Sequence, residues 1–375
     1  MHNGRKLVSD TFSDVYGLLE PWIDHGFWDF GTFDPEPGSI CVVGRHQAVQ
    51  YTDHLKSLCD RDCVMVFANT AEGSETQLSV LRMLGLEDLV RSGRLLLLSG
   101  GRMSSEYTCL LHEHFLVRVV AYEDNIRAMS RIQEIFSKTS KPYQFLFLNG
   151  RARPHRKYLW HRFDERGLLH RSIWSMMEGR GLSNRSLHLH RDGVDIMAEH
   201  VASRSVPAQY EVERYRDRSQ VVTDHHNIKF DVFDNEWGEI YIESAPYIDT
   251  YFSVVTETIL EGTHSFFTEK IAKPLAQGHP WIAATNSGFY RDLRALGFRT
   301  FDHVIDESFD SIHDDQSRMD RIVDTVTDLC QQDLDGFLAA CEDTCKYNQQ
   351  QLLEVARQEN QLFPERFFQF IDQHA

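Results

Sequence analysis

Basic side chains crowd a point where one predicted strand turns into a helix. The apolar run Tyr143–Leu148 predicts a strand, and Asn149–Lys157 follows with a tight Asn-Gly turn, three arginines and a histidine. Pro154 suits the first turn of a helix, because its missing N–H costs nothing there. Helix N–H groups and guanidinium groups together bind anions, so we interpret the turn as half of a phosphate site; a solvated basic turn is the alternative. The residues assigned to this half-site are Asn149, Arg151, Arg153 and Arg156.

A second group of polar side chains follows another predicted strand. That strand ends in Thr256 and Glu257, and Thr268 then suits the N-cap of a helix with Glu269 and Lys270 in its first turn. The helix dipole disfavours a cation in that turn, so Lys270 indicates a nearby anion. The Glu269 carboxylate could accept the hydroxyls of a ribose. Ordinary exposed helix charges and a plain strand end are the alternatives, but with the basic turn these residues favour one crevice for a ribose and a diphosphate.

The first third of the chain is predicted to be an α/β domain of alternating strands and helices. Short, almost wholly apolar strands separated by helices are typical of a parallel sheet covered on both faces. The tripeptide Ser140-Lys-Pro breaks the last of these helices and predicts an interdomain boundary. Strands are predicted at 39–44, 63–68, 94–100 and 115–121, and helices at 46–59, 74–84 and 124–138.

A second α/β unit begins at once with the strand at Tyr143. The stretch 180–235 is polar and poorly periodic and is interpreted as loops, whereas 346–375 has amphipathic helical spacing. Further strands are predicted at 239–243, 251–256 and 281–284, and helices at 154–166, 268–277, 289–296 and from about 316 onward. The predicted domains are 1–140, 141–345 and a C-terminal helix 346–375 that packs back on the first domain.

Bulk composition agrees with a soluble two-domain protein. The chain has 375 residues, a hydrophobic content of 42% and a net charge of −17, which argues against coating nucleic acid or an anionic membrane. It lacks the run of roughly 18 apolar residues that a membrane helix needs, and its polar N-terminus favours a cytoplasmic location. The seven cysteines lack zinc-site spacing and are interpreted as buried free thiols.

Several segments resemble the donor-site segments of GT-B glycosyltransferases. Val255–Thr258 and Phe267–Ile282 carry a Thr-Glu-Lys helix start, a Pro-Leu and a Gly-His-Pro before a strand. Leu296–Phe301 and Leu148–Arg156 match further motifs of the same group. The chain is most similar to fucosyltransferase-like enzymes and to a set of viral and bacterial transferases, over roughly 143–325 without its variable middle.

The resemblance implies two Rossmann-like domains, an N-terminal one for the acceptor and a C-terminal one for a nucleotide-diphosphate sugar. The arginine of the first motif and Lys270 would grip the donor diphosphate without a metal or other cofactor. Glu269 would touch the ribose, and Thr256 and Glu257 would lie near the sugar or nucleotide. Fucosyltransferases usually invert the anomeric centre, but this sequence departs from their fuller pattern around Phe267. Retaining GT-B enzymes have a comparable glutamate near the donor, so the stereochemistry stays open.

Glycosyl transfer also needs a base for the acceptor hydroxyl. Glu72 follows a buried strand in a Gly-containing loop and is the preferred candidate, with Glu257 as the other catalytic candidate. The remaining candidates at strand ends of the first domain are His46, Glu123 and Asp124.

Three acceptor classes and two rival functions remain open. The acceptor is a glycan, a small molecule or a hydroxymethylated base of viral DNA. One rival is another phosphate-handling transferase, which would need metal-binding carboxylates; the sequence His313-Asp-Asp315 is more typical of a solvated face. The other rival is a non-catalytic nucleotide or nucleic-acid binding protein. Its candidate contacts are Trp160, Trp174, His188, His190 and Arg191.

Overall fold

A computed structural model describes most of the chain as two compact units. The described residues are 4–11, 13–24, 29–104, 106–121, 123–151, 153–177, 190–191, 194–195, 203–204, 221–223, 229–231, 242–260 and 264–374. The first unit comprises Met1–Val117, His264–Phe267 and Val355–Ala375, and the second comprises Arg118–Thr263 and Thr268–Glu354. The predicted irregular stretch 180–235 and the predicted strand 239–243 fall mostly outside the described residues.

The first unit contains a five-stranded parallel sheet in the order β1-β2-β3-β4-β5. Its strands are β1 (Leu7–Ser9), β2 (Ile40–Gly44), β3 (Val64–Asn69), β4 (Leu95–Ser99) and β5 (Cys109–Leu111). Its helices are α1 (Tyr16–Leu19), α2 (Arg45–Gln50), α3 (Thr52–Cys59), α4 (Ser74–Leu84) and α5 (Glu87–Arg91), with a 3₁₀ turn at Glu20–Trp22.

Both faces of this sheet are buried, which explains why its strands are continuously apolar. Successive side chains of a strand point to opposite faces. Val43 packs on one face with Leu81 of α4. Val42 packs on the other face with Phe363 and Phe367 near the end of the chain. The last turns of the C-terminal helix therefore supply part of the first unit's core.

One predicted element in this region is wrong, and two predicted helices are each divided in two. Phe115–Ala121, predicted as a strand, lies in the helix α6 (His114–Ala121), and the last strand is instead the short β5. A brief apolar run does not distinguish a strand from a buried helix by periodicity. The helix predicted at 46–59 is divided at Tyr51, whose backbone leaves the helical region at φ −126° and ψ 45°. The helix predicted at 124–138 is divided into α7 (Glu123–Met129) and α8 (Ile132–Ser137).

The second unit contains a five-stranded sheet in the order β10-β7-β6-β13-β14. All of its pairings are parallel except that of the edge strand β10. Its strands are β6 (Tyr143–Arg151), β7 (Ser172–Met177), β10 (Ser203–Arg204), β13 (Thr250–Thr256) and β14 (Trp281–Ala284). Two antiparallel pairs join β8 (His190–Arg191) to β9 (Val194–Asp195) and β11 (Val221–Thr223) to β12 (Lys229–Asp231).

The strand order reverses at β6, since the chain continues to β7 on one side and later returns as β13 on the other. In open α/β sheets such a reversal leaves a crevice at the carboxyl ends of the two strands. The remaining helices are α9 (Pro154–Glu165), α10 (Ala245–Ile248), α11 (Glu269–Gln277), α12 (Phe289–Ala295), α13 (Asp315–Leu329) and α14 (Leu334–His374), with 3₁₀ turns at Leu169–Arg171 and Ser308–Ser311.

The described helices and the cysteines bear on two of the sequence predictions. Within the described residues, no helix is both long and apolar enough to cross a membrane. All seven cysteines are free thiols and five of them are buried, which confirms the predicted buried thiols at those five positions.

Gly85 ends the helix α4, and its replacement tests whether this position requires glycine. It caps the C-terminus of α4 in the left-handed region at φ +63°. An alanine there is expected to lower the free energy of unfolding by about 1–2 kcal/mol, because a Cβ is strained at positive φ. Urea unfolding measures the loss. Gly17→Ala is the control, since its φ is ordinary and no atom lies near its added Cβ; an equal loss in both variants would contradict the explanation.

Candidate phosphate site at the switch point of the second sheet

The carboxyl ends of β6 and β13 form the floor of the candidate site. The two strands pair in parallel from Thr250↔Tyr143 to Ser253↔Leu146. At their ends the Thr256 hydroxyl donates to the Asn149 amide oxygen at 2.5 Å, and both side chains are buried. The pairing of β6 with β7 shifts register just beyond Asn149, as in a β-bulge. Two predicted residues thus lie together, as buried groups that fix the two strand ends to each other.

The start of α9 lies against the end of β13. Arg153 is its N-cap and Pro154 its first residue, and among the described residues no side chain caps this helix start. Arg153 is half-buried and its Nη1 donates to the Thr258 carbonyl at 3.2 Å. The buried His155 donates through Nε2 to the Glu257 carbonyl at 3.0 Å. The first turn of α9 and the Arg153 guanidinium therefore offer N–H donors at the crevice.

Arg156 has a different environment from the one the sequence suggested. Its side chain is only 2% exposed, and Nη2 donates to the carbonyls of Thr256 at 3.2 Å and Glu257 at 3.4 Å. These bonds join the start of α9 to the end of β13. The described contacts therefore give Arg156 a structural role in the site. The Arg151 backbone ends β6, and its side chain lies outside the described residues.

Glu257 is the most extensively bonded acid of the site. It is fully buried, and its carboxylate accepts from the Thr268 hydroxyl at 2.5 Å and from the N–H groups of Thr268, Ile271 and Thr258 at 3.1, 3.3 and 3.2 Å. Burial raises the pKa of Glu257 above its usual value, and attraction to Lys270 offsets part of that rise. The carboxylate therefore occupies the N-terminus of α11 that the sequence suggested for a phosphate.

Lys270 places a cation beside this filled helix start. Thr268 caps α11 by accepting from the Lys270 N–H at 3.2 Å, as predicted for an N-cap threonine. The Lys270 side chain is 23% exposed, and its ammonium forms an ion pair with Glu269. Burial raises the pKa of Glu269, but the charge and hydrogen bond of Lys270 outweigh that effect and leave the pKa below its usual value. The Glu269–Lys270 pair is thus an ionised and partly exposed group at the crevice.

Thr258 connects the two half-sites and was not singled out from the sequence. Its carbonyl accepts from Arg153, and its hydroxyl accepts from the Lys270 ammonium at 3.4 Å. Two partly exposed cations, one from each helix start, therefore both donate hydrogen bonds to Thr258. The available sequence signal was its position, two residues beyond the end of a strand at the predicted ligand-binding edge.

Glu72 belongs to a separate part of the molecule. It lies in the first unit beyond β3, as predicted, and its carboxylate accepts from Arg45 Nη1 at 2.9 Å. About a third of its side chain is exposed, at 34%. The structure places it in a surface ion pair.

Three buried histidines, including His155, make stability depend on pH. Burial lowers the pKa of His112 and His155 well below the usual value and that of His279 to about 3. A folded-state pKa below the unfolded value of about 6.5 means that stability is complete above that pH and is lost as the pH falls. Between about pH 6.5 and 5 we expect each histidine to lower the unfolding free energy by about 1.4 kcal/mol per pH unit.

Urea unfolding across this pH range at constant ionic strength measures the effect. His279→Gln should reduce the slope by one histidine's contribution, because glutamine does not titrate. A slope unchanged by that substitution would contradict the assignment of a neutral buried His279.

The described residues contain no group of three or more His, Cys, Asp or Glu side chains arranged to hold a metal ion. Comparisons of the chain with protein-family models, curated proteins and solved structures gave no match.

Proposed function

We propose that the second unit binds the diphosphate of a nucleotide sugar and that the protein is a glycosyltransferase of the GT-B type. The observation that carries the proposal is the pair of helix starts at the sheet's switch point, where Arg153 and Lys270 meet at Thr258. A crevice of this kind is where open α/β sheets bind ligands, and its two cations suit a doubly charged group.

The chemistry needs stabilisation of a departing diphosphate. As the bond from the anomeric carbon to the phosphate oxygen breaks, its electron pair remains on that oxygen. Cationic side chains and helix N–H groups aimed at this position stabilise the charge as it develops. We assign that task to Arg153, Lys270 and the N–H groups at the start of α9, and no metal ion is needed for it.

In this proposal the buried residues of the site hold its strand ends and the start of α11 in position. Arg156, Asn149 and Thr256 hold the ends of the two strands together, and Glu257 holds the start of α11 so that Lys270 reaches the crevice. We assign Glu269 to the ribose hydroxyls, since it is ionised beside Lys270 and a carboxylate accepts from hydroxyl groups. Arg151 stays a candidate phosphate ligand, and Glu72 stays a candidate base.

Donor cleavage tests the proposal without knowledge of the acceptor. Purified protein is incubated with a panel of nucleotide sugars, and release of the nucleoside diphosphate is measured with and without EDTA, water serving as the acceptor. We expect release from one donor class, unchanged by EDTA. Release that requires a divalent metal, or the absence of release from every donor of the panel, would contradict the proposal.

A further inference from the structure

Two cysteines lie next to each other on one face of the first sheet. Cys41 is on β2, and Cys63 directly precedes β3. The two strands pair in parallel with Cys41 opposite Met65, and because side chains alternate along a strand, Cys63 is on the same face as Met65. Cys41 and Met65 are buried in one apolar cluster, and the partly buried Cys63 packs against it. The sheet therefore places one buried thiol beside one partly exposed thiol.

The buried thiol donates a hydrogen bond to the partly exposed one. The Cys41 S–H donates to the Cys63 sulfur, and this bond stabilises the thiolate form of Cys63. The Ser39 N–H and the charge of Arg61 act in the same direction, whereas burial and the charge of Asp62 oppose them. Together these effects lower the pKa of Cys63 to about 7. The same bond and burial raise the pKa of Cys41 well above its usual value, so Cys41 keeps its hydrogen.

The open side of Cys63 lies against a surface turn. In the thiol form its S–H donates to the Glu36 carbonyl at 3.5 Å, and both Glu36 and Pro37 are exposed. A thiol is a weak donor, so ionisation of Cys63 loses little at this contact. The thiolate is the nucleophilic form of cysteine. A small reagent in solution therefore meets a sulfur that is ionised in a large fraction of the molecules at neutral pH.

Cys109 shows that partial exposure alone does not give this property. It is on β5 of the same sheet, and it is the other cysteine that is not buried as a residue. Its S–H donates to the Leu110 carbonyl at 3.5 Å. Burial of the sulfur raises the pKa of Cys109 to about 12, so it remains a thiol at neutral pH. Cys109 is the internal comparison for Cys63.

We propose that Cys63 is a modification site at which hydroperoxides oxidise the sulfur to a sulfenic acid, with Cys41 as its positioning residue. The thiolate attacks one peroxide oxygen, and the S–O bond forms as the O–O bond breaks. The second oxygen leaves with the electron pair as hydroxide or alkoxide and takes a proton from water. The sulfur is thereby oxidised and the peroxide reduced. This site does not depend on the glycosyltransferase function.

The position of Cys41 opposes a disulfide with the oxidised Cys63. Cys41 pairs with Met65, two residues beyond Cys63, so the two cysteines are diagonal neighbours. A strand spacing of about 4.8 Å and a rise of about 3.3 Å per residue put their Cα atoms roughly 8 Å apart. A disulfide spans about 7 Å at most without backbone movement. The product is therefore a sulfenic acid that remains open to a second thiol from solution.

Alkylation by iodoacetamide tests the nucleophile. The rate at each cysteine of the folded protein is followed by peptide mass spectrometry as a function of pH. We expect Cys63 to react fastest, with a midpoint at about pH 7. Cys41→Ala should raise that midpoint by about one to two pH units, because one hydrogen bond to the thiolate is lost. Cys41→Ser should restore the low midpoint, since a hydroxyl also donates, and Cys109→Ala should leave it unchanged.

Two results of the alkylation experiment would overturn the proposal. One is a midpoint for Cys63 in the unaltered protein at or above the value of about 8.5 for an ordinary cysteine. The other is a midpoint that Cys41→Ala leaves unchanged. The first result needs no variant, so it decides the matter even where Cys41→Ala does not fold.

Oxidation by hydrogen peroxide tests the product. The reduced protein is treated with peroxide in the presence of dimedone, which traps sulfenic acids, and its peptides are analysed by mass spectrometry. We expect the dimedone adduct on Cys63, little on Cys109, and its loss in Cys63→Ser. The absence of an adduct on Cys63, an equal yield on Cys109, or a disulfide between Cys41 and Cys63 as the main product would overturn the proposal.

Discussion

Replacing Lys270 with alanine is expected to lower the rate of donor cleavage by about 100- to 1,000-fold, the range for loss of one group that stabilises charge in a transition state. The Lys270 ammonium is partly exposed at the crevice and pairs with Glu269. In the alanine variant Glu269 loses that ion-pair partner, and its negative charge repels the diphosphate. Both changes oppose the departure of a charged leaving group. Steady-state release of nucleoside diphosphate measures the effect.

Lys273→Ala is the matched control for this prediction. Lys273 is on the same helix, three residues further on, and has the same charge. Its removal should change the rate several-fold at most. The Lys270→Ala protein should remain folded at the assay temperature, because the Thr268 cap and the Glu257 bonds of α11 do not depend on the ammonium. Its unfolding temperature should fall, because the buried Glu269 loses its ion-pair partner. Cleavage at the unaltered rate in Lys270→Ala would remove the basis for the site.

Replacing Glu257 with glutamine is expected to lower the free energy of unfolding by about 2–4 kcal/mol. The carboxylate accepts from three N–H groups and one hydroxyl, and it is fully buried. A glutamine amide keeps the shape but offers one oxygen and places an NH₂ group against donors that already carry hydrogens. Buried N–H groups at the start of α11 would lose their partner. Donor affinity should also fall, since Lys270 is on that first turn.

Glu165→Gln is the control for the stability measurement. Glu165 lies on α9 in the same unit and forms a partly exposed ion pair with Arg162 at 3.0 Å. Such a pair contributes about 1 kcal/mol or less. The two variants are compared by urea unfolding at neutral pH. A loss in Glu257→Gln no larger than that in Glu165→Gln would show that the four bonds do not hold the helix start.

Much of the strand framework could be predicted from local patterns. The strand 281–284 and the helix 74–84 have the predicted bounds, and β2, β3, β4 and β13 differ from theirs by one residue or so at each end. These segments combine unbroken apolar runs with glycine or proline at their ends. The sequence also indicated that the ends of β6 and β13 lie side by side, because polar groups follow both strands. The switch point could be expected from this arrangement.

Side-chain direction could not be predicted in the same way. Arg156 and Arg153 are on one helix start with similar sequence surroundings, yet Arg156 is buried against carbonyls while Arg153 is half-buried at the crevice. Which of them faces the ligand depends on where β13 ends relative to α9, a tertiary fact. For the same reason Glu257, a plain strand-end residue in the sequence, occupies the start of α11.

The central claim is that the crevice of the second sheet recognises a diphosphate, and titration calorimetry tests it most directly. Nucleoside diphosphates and the matching monophosphates are titrated into the unaltered protein and into Lys270→Ala, with EDTA present throughout. One diphosphate should bind at least about 10-fold more tightly than its monophosphate, as expected for one added charge-assisted contact, and Lys270→Ala should remove most of that difference. Equal affinity for the two nucleotides, or the same preference in Lys270→Ala, would contradict the account.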